Sequence, residues 1–213
     1  MLTCVHTFSA KSLFHVEKKT ETRINKANVK TEFPFDLCFR IIPERSDIFR
    51  GPGIYWVTFN DELIYVGSYS SVLPNLISDR WLKHIQTFTN RGYRLGFNAL
   101  TKKDSIPAKL KSFFDRDCYR YCDTGTVTSL ERLSFASRNF DEFQSSDGGE
   151  IIEKFRFYYC RLDSALAAKE IESGLIEELR PICNSLSPRR GNIANSLVRV
   201  IKEQILYTLK PKA

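Results

Sequence analysis

A carboxylate on an otherwise apolar helix face is the feature of this 213-residue chain that most clearly suggests chemistry. Residues 164–179 have helical periodicity, and with Ile171 at 0° Leu175 falls near ~40° and Leu179 near ~80°. Glu172 falls near ~100°, inside the same face. A carboxylate directed at a core costs several kcal/mol unless a buried arginine, a raised pKa or a metal ion compensates it. The alternatives are therefore a satisfied ion pair and a ligand for Mg²⁺ or a similar hard cation.

Arg80 and His84 form a second candidate pair. They are four residues apart on a predicted helix, so they lie on one helix face, at the border of its apolar side. The arginine fork can hold a phosphate, and imidazole can transfer a proton near neutral pH. A single histidine in such a position is usually packed, but an Arg–His pair beside two strand tyrosines suits phosphate chemistry.

Tyr55 and Tyr65 lie on the two predicted strands of one hairpin. A strand tyrosine usually serves packing, and its unperturbed pKa near ~10 makes it a poor base. A neighbouring cation or a metal-bound water lowers the cost of deprotonation and changes that balance.

The elements that must position these residues follow from turn signals and periodicity. After Gly51-Pro52-Gly53 a β-hairpin is predicted, with strands over 54–59 and 63–66, a turn between them and an end at Gly67. Helices are predicted over 73–88, 106–122, 129–143 and 164–179, the last capped by Asp163 or Ser164. A loop at 145–149, a strand over 151–162 and a final helix from Asn192 to Tyr207 complete the prediction. Residues 14–32 are compatible with a helix or a loose arm, and the element order predicts an α+β fold.

The positive charge of the chain is concentrated in one segment. The net charge is +7, and the ten basic and three acidic residues from Arg80 to Arg120 account for all of it. Aromatic residues are interleaved there, which is the pattern expected of a polyanion-binding surface.

Composition excludes several other classes of protein. The 42% hydrophobic and 27% charged residues exclude a disordered or collagen-like chain. No apolar run approaches the roughly 18 residues of a membrane span, and no signal peptide is recognised, so a cytoplasmic protein without a membrane partner is expected. The six cysteines are expected to be reduced thiols. Cys118 and Cys122 have no second ligand pair at zinc-finger spacing, so no zinc is expected.

Together these segments resemble the GIY-YIG nuclease superfamily, with the pattern closest to its type II restriction endonucleases. The resemblance covers residues 53–85 and 150–185. It divides the chain into an N-terminal extension (1–50), a catalytic domain (51–185) with a basic insertion (86–149), and a C-terminal basic loop and helix (186–213). Its motifs, in chain order, are Gly53-Ile54-Tyr55, Tyr65-Val66-Gly67, Arg80 with His84, and Glu172 followed by Leu175-Ile176, Pro181 and Asn184.

The resemblance implies a small mixed or antiparallel sheet flanked by helices, and hydrolysis of phosphodiesters in duplex DNA with Mg²⁺ or Mn²⁺. Glu172 would be the metal ligand and Arg80 would clamp the scissile phosphate. Tyr55 is favoured as the general base with Tyr65 positioning, although the reverse stays open, and His84 would hydrogen-bond to the base or relay its proton. Asn184 would hold the site together by side-chain hydrogen bonds. Ser68 replaces the lysine that follows the second motif in some members.

Recognition of DNA is expected to involve the basic insertion, the N-terminal arm and the C-terminal basic loop, and a homodimer would suit a palindromic target. Other hypotheses are a repair, structure-selective or mobile-element nuclease, an RNA nuclease, and a nucleic-acid-binding module without catalysis. The basic residues expected to bind DNA are Arg91, Arg94, Lys102, Lys103, Arg189 and Arg190.

Overall fold

The β-hairpin predicted after Gly53 is the centre of the fold. Its strands are Gly53–Phe59 (β4) and Glu62–Tyr69 (β5), and they are antiparallel. Asn60 and Asp61 have φ of 50° and 60°, the left-handed conformation of a two-residue hairpin turn. The hairpin prediction is confirmed, but its second strand continues through Gly67 to Tyr69 because the pairing with β4 extends to Gly53.

The computed structural model describes residues 4–24, 30–42, 49–71, 73, 75–89, 95–97, 126–139, 142–143, 149–185 and 196–209. The other strands are Val5–Ser9 (β1), Phe14–Ile24 (β2), Lys30–Ile41 (β3), Leu95–Phe97 (β6), Thr126–Thr128 (β7) and Phe155–Arg161 (β8). The helices are Ala10–Leu13 (α1), Leu82–Phe88 (α2, preceded by a π-helical turn Ile77–Trp81), Leu130–Arg138 (α3), Gly149–Glu153 (α4), Ala165–Leu179 (α5) and Ser196–Thr208 (α6).

Four strands form the central sheet in the order β1–β8–β4–β5, and every neighbouring pair is antiparallel. Helices pack on both faces of this sheet. One face contacts α5 and α6 through a cluster that includes Trp56, Ile171 and Ile201. The other contacts α2 and its π-helical turn through Trp81 and Phe157. The α+β class and the antiparallel sheet flanked by helices are thereby confirmed.

The described parts of residues 14–32 are β-strands and not the helix or loose arm considered for this segment. β1 is an edge strand of the central sheet and pairs with β8. β2 and β3 form a separate antiparallel ribbon. Phe14 and Phe39 are buried in the main core while His15 and Arg40 are exposed, so the base of the ribbon follows the two-residue period of a strand.

Other predicted elements differ in their limits. The helix predicted over 73–88 begins as a π-helical turn at Ile77, and α3 is shorter than the predicted 129–143. Residues 149–153 are helical where a strand was predicted from 151, because Ile151 and Ile152 are buried in the core from a helix that precedes β8. α5 is confirmed, with the Ser164 hydroxyl accepting from the Ala167 amide at 3.4 Å. The predicted helix 106–122, most of the loop 145–149 and the cap at Asn192 lie outside the described residues. Within the described parts of the chain, no helix has the length and apolar character needed to cross a membrane.

Candidate active site

Two phenols and an imidazole meet on the α2 face of the central sheet. Tyr55 comes from β4, Tyr65 from β5 and His84 from α2. The Tyr55 hydroxyl lies 2.8 Å from His84 Nε2. The Tyr55 and Tyr65 rings are stacked with centroids 6.1 Å apart, and the Tyr65 and His84 centroids are 4.4 Å apart. The hairpin register and the first turns of α2 therefore bring three of the predicted residues together.

The two motif glycines make room for tyrosine rings. Gly67 lies directly opposite Tyr55, and a Cβ at Gly67 would be 2.4 Å from the Tyr55 hydroxyl oxygen. A Cβ at Gly53 would be 2.5 Å from the Tyr159 ring and 2.6 Å from the Cys160 carbonyl oxygen. Contacts this short are not tolerated in packed proteins. Close packing against Tyr55 at Gly67, and against Tyr159 and the Cys160 carbonyl at Gly53, is sufficient to explain why both positions hold glycine.

Glu172 projects from α5 toward the edge strand β5. The residue is half-buried, and its Oε2 accepts a hydrogen bond of 2.6 Å from the Ser68 hydroxyl. Burial raises the pKa of this carboxyl, while hydrogen bonds from Ser68 and the charge of Arg80 act in the opposite direction. The Glu172 charge in turn raises the pKa of Tyr55 and Tyr65, so the carboxylate and the phenols share one electrostatic site.

Arg80 lies in the π-helical turn and is exposed. The Leu82 amide donates to the Ile77 carbonyl, five residues back, which is the bond that defines this turn. Such turns occur frequently at functional sites. Arg80 lines an open, polar pocket of about 290 Å³ with Tyr69, Ser70, Ser71, Asp79 and Lys83.

His84 differs from Arg80 in its environment although both lie on one helix. The imidazole is buried, and burial together with the charges of Arg132, Arg80 and Lys83 holds its pKa well below the usual value. Nδ1 has no hydrogen-bond partner among the described residues, whereas Nε2 contacts Tyr55. Because a buried N–H without an acceptor is costly, the proton is best placed on Nε2, which then donates to the Tyr55 oxygen.

The buried imidazole predicts a stability that falls in mild acid. The unfolded chain binds a proton at His84 near pH ~6.5, but the folded chain does not, so unfolding is favoured progressively as the pH falls below that value. We expect the free energy of unfolding to decrease by about 1 kcal/mol at pH 5.5 from this group. Urea denaturation between pH 7.5 and 5.5 should show this slope in the wild type and lose it in His84→Gln. His15→Gln alters an exposed histidine and serves as the control; equal slopes in both variants would contradict the prediction.

Asn184 binds the backbone of the edge strand β5 at the residue that follows Tyr65. Its Oδ1 accepts from the Val66 amide at 2.9 Å and its Nδ2 donates to the Val66 carbonyl at 2.8 Å. The Cys183 amide donates to the Ile64 carbonyl at 2.8 Å. Since β5 is the last strand of its sheet, the side chain of Asn184 takes the place of a further strand.

Removal of this amide should therefore destabilise the fold. Asn184→Ala leaves the Val66 amide and carbonyl without their partner, and we expect a loss of about 2–4 kcal/mol in the free energy of unfolding. Asn139→Ala is the matched control, because Asn139 donates one hydrogen bond, to the Phe135 carbonyl at the end of α3. Its expected cost is about 1 kcal/mol. Chemical denaturation measures both, and equal losses would show that the two bonds to β5 have no special role.

One residue of the site was not predicted. The guanidinium carbon of Arg132, on α3, lies 5.0 Å from the centroid of Tyr65 and 5.8 Å from that of Phe88. The sequence placed Arg132 only within the basic insertion, and no motif or spacing marked it. It comes to the site through the packing of α3 on α2, which local periodicity does not reveal.

The structure describes only part of the set of predicted site residues. The residues expected to bind DNA, Arg91, Arg94, Lys102, Lys103, Arg189 and Arg190, all lie outside the described residues. Across the described ranges, His, Cys, Asp and Glu side chains form no group of three or more that could hold a metal ion.

Comparisons with known proteins do not extend this picture. The search of protein-family models found no match. The searches of curated proteins and of solved structures likewise found no significant match. The functional assignment therefore depends on the residues themselves.

Proposed function

We propose that this protein is a divalent-metal-dependent endonuclease of the GIY-YIG type that hydrolyses phosphodiester bonds in duplex DNA. The observation that carries the proposal is the meeting of the motif residues. Two phenols and a buried imidazole from distant parts of the chain are in contact, and the charges of Glu172 and Arg80 influence the pKa of both phenols. A set of this kind has the acid–base groups, the cation and the carboxylate that phosphodiester hydrolysis needs.

The donor set suits Mg²⁺ or Mn²⁺. Mg²⁺ keeps several water ligands and is often held by one or two carboxylates together with substrate phosphates. The half-buried Glu172 carboxylate, oriented by the Ser68 hydroxyl, supplies one such ligand. A bound divalent ion would polarise the phosphoryl group and stabilise charge on the leaving oxygen.

Arg80 and its pocket supply the phosphate site. The pocket is open to solvent and lined by Arg80, Lys83 and the residues Ser70 and Ser71. A guanidinium can hold two oxygens of a phosphate, and it stabilises the additional negative charge of the transition state. The exposure of Arg80 therefore places it where a nucleic-acid backbone can reach it.

A phenol takes the proton of the attacking water. Both Tyr55 and Tyr65 belong to the site, and the Nε2–H of His84 stabilises negative charge on the Tyr55 oxygen. His84 itself is neutral, because burial and nearby cations oppose its protonation. The imidazole of His84 therefore acts as a neutral hydrogen-bond donor within the site and not as an imidazolium cation.

Among nucleases of this type we favour a sequence-specific type II restriction endonuclease that acts as a homodimer in the cytoplasm. The chain carries the Arg–His pair of that subgroup on one helix, and one site per subunit would cut one strand of a two-fold symmetric target. The basic excess in residues 80–120 would provide the surface for DNA. A repair, structure-selective or mobile-element nuclease is the second candidate, because the core motifs are compatible with these activities also.

Incubation of supercoiled plasmid with the purified protein, with Mg²⁺ or with EDTA, tests the proposal. Metal-dependent conversion to discrete linear fragments supports a restriction enzyme, and random nicking supports a nuclease of another kind. Duplex RNA as competitor identifies an RNA nuclease. Binding of duplex without cleavage, under every divalent metal, would replace the proposal with a binding module.

A further inference from the structure

We propose that Arg132 is a positioning residue of this site, which holds the Tyr65 phenol for proton transfer through contact of its guanidinium with the phenol ring. This inference rests on the proposed function, and it adds to the motif set a residue from the insertion. The guanidinium carbon lies 5.0 Å from the centroid of the Tyr65 ring, and the charge of Arg132 lowers the pKa of this phenol. A cation at this distance from an aromatic ring is attracted by the ring and by any charge on its oxygen.

The two phenols are not equivalent in this arrangement. Tyr55 is 2% exposed and its hydroxyl is engaged by His84. Tyr65 is less buried than Tyr55, and it has the guanidinium beside it. The Tyr65 ring contacts Tyr55 from β4, His84 from α2 and Arg132 from α3, and the charges of Glu172 from α5 and Arg80 from the π-helical turn also influence its pKa.

The balance of these groups favours ionisation of Tyr65 over that of Tyr55. Burial raises the pKa of Tyr65, and among the influences that lower it the charge of Arg132 is the largest. The pKa of Tyr55 is raised well above its ordinary value, mainly by burial and next by Tyr65. Ionisation of one phenol therefore opposes ionisation of the other, and Arg132 decides which of them carries the charge.

In the hydrolysis step that follows, every bond formed and broken and every proton transferred is accounted for. The Tyr65 phenolate accepts a proton from water, and the water oxygen forms a bond to phosphorus. The bond from phosphorus to the leaving sugar oxygen breaks, its electron pair stays on that oxygen, and the oxygen takes a proton from solvent. Tyr65 returns to the phenolate by releasing its proton to solvent, and Arg132 stabilises the charge that remains.

The pH dependence of cleavage distinguishes a positioning role from a merely structural one. Because the phenolate is the active form, the wild-type rate should rise with pH. Arg132→Gln should move this rise to higher pH and lower the rate at neutral pH by about ten- to a hundredfold. Arg132→Lys should recover part of the loss, since it keeps the charge. Arg138→Gln, an exposed arginine on the same helix, should match the wild type. If Arg132→Gln loses the same factor at every pH, or if Tyr65→Phe keeps full activity, the inference is wrong.

A titration that needs no substrate separates this inference from the proposed function. With ¹³C-labelled tyrosine, the Cζ resonance of Tyr65 is identified by its absence in Tyr65→Phe, and it should titrate at lower pH than that of Tyr55. Arg132→Gln should move the titration of Tyr65 to higher pH. The difference between the titration midpoints of Tyr65 and Tyr55 should then become smaller or change sign. A protein that shows this coupling and cleaves nothing overturns the proposed function alone. A protein that cleaves DNA but shows no response of Tyr65 to Arg132→Gln overturns the role of Arg132 alone.

Discussion

Replacement of Glu172 by alanine should abolish metal-dependent cleavage while leaving the fold and most duplex binding intact. The carboxylate is half-buried and accepts a hydrogen bond of 2.6 Å from the Ser68 hydroxyl, and its charge raises the pKa of both phenols. A divalent ion contributes several kcal/mol to such a reaction, and each 1.4 kcal/mol changes the rate tenfold. We therefore expect a loss of about a thousandfold or more in the single-turnover rate at saturating Mg²⁺.

The loss of activity should not be accompanied by a loss of stability. Burial raises the pKa of the Glu172 carboxyl, so its negative charge does not stabilise the folded chain. Glu172→Gln should therefore fold at least as well as the wild type while it loses the same activity. Glu170→Ala is the matched control, since Glu170 is an exposed acid on the same helix. Full cleavage by the Glu172 variants, or an equal loss in Glu170→Ala, would remove Glu172 from the site.

The hairpin and α5 could be predicted because each is determined by local signals. Runs of β-branched and aromatic residues, bounded by Gly53 and by a left-handed turn at Asn60 and Asp61, determine β4 and β5. The 3.6-residue period, a serine cap and Pro181 determine α5. Glu172 was found for the same reason, since it interrupts a regular pattern. Its actual partner, the Ser68 hydroxyl, was not predicted, because no rule of spacing joins α5 to the end of β5.

The parts that could not be predicted depend on contacts between distant segments. β1 became a strand because it completes the edge of β8, and the segment 151–153 became helical because its isoleucines fill the core beside α1. Arg132 reached Tyr65 through the packing of α3 on α2. The π-helical turn is a different case. It inserts a residue into a helix whose apolar period looks regular, and it leaves Arg80 exposed while His84, four residues later, is buried.

The second large effect on the cleavage rate is expected at Arg80, because its guanidinium is exposed. Arg80→Ala removes the guanidinium from the rim of the open pocket, where it is the group best able to hold two phosphate oxygens. Loss of one such donor to a developing charge typically lowers the rate by about a hundred- to a thousandfold. Single-turnover cleavage of a duplex should show this loss, and duplex binding at low salt should weaken as well because a phosphate contact is removed.

Two further variants separate the geometry of the guanidinium from its charge. Arg80→Lys keeps the charge but not the planar fork, so it should recover binding more fully than rate. Lys83→Ala removes a charge from the same pocket, and its effect should fall mainly on binding. Arg138→Ala, which alters an exposed arginine of α3 that does not line this pocket, should leave both quantities unchanged. If Arg80→Lys equals the wild type in rate, a simple positive charge suffices at this position, and the two-pronged phosphate clamp is wrong.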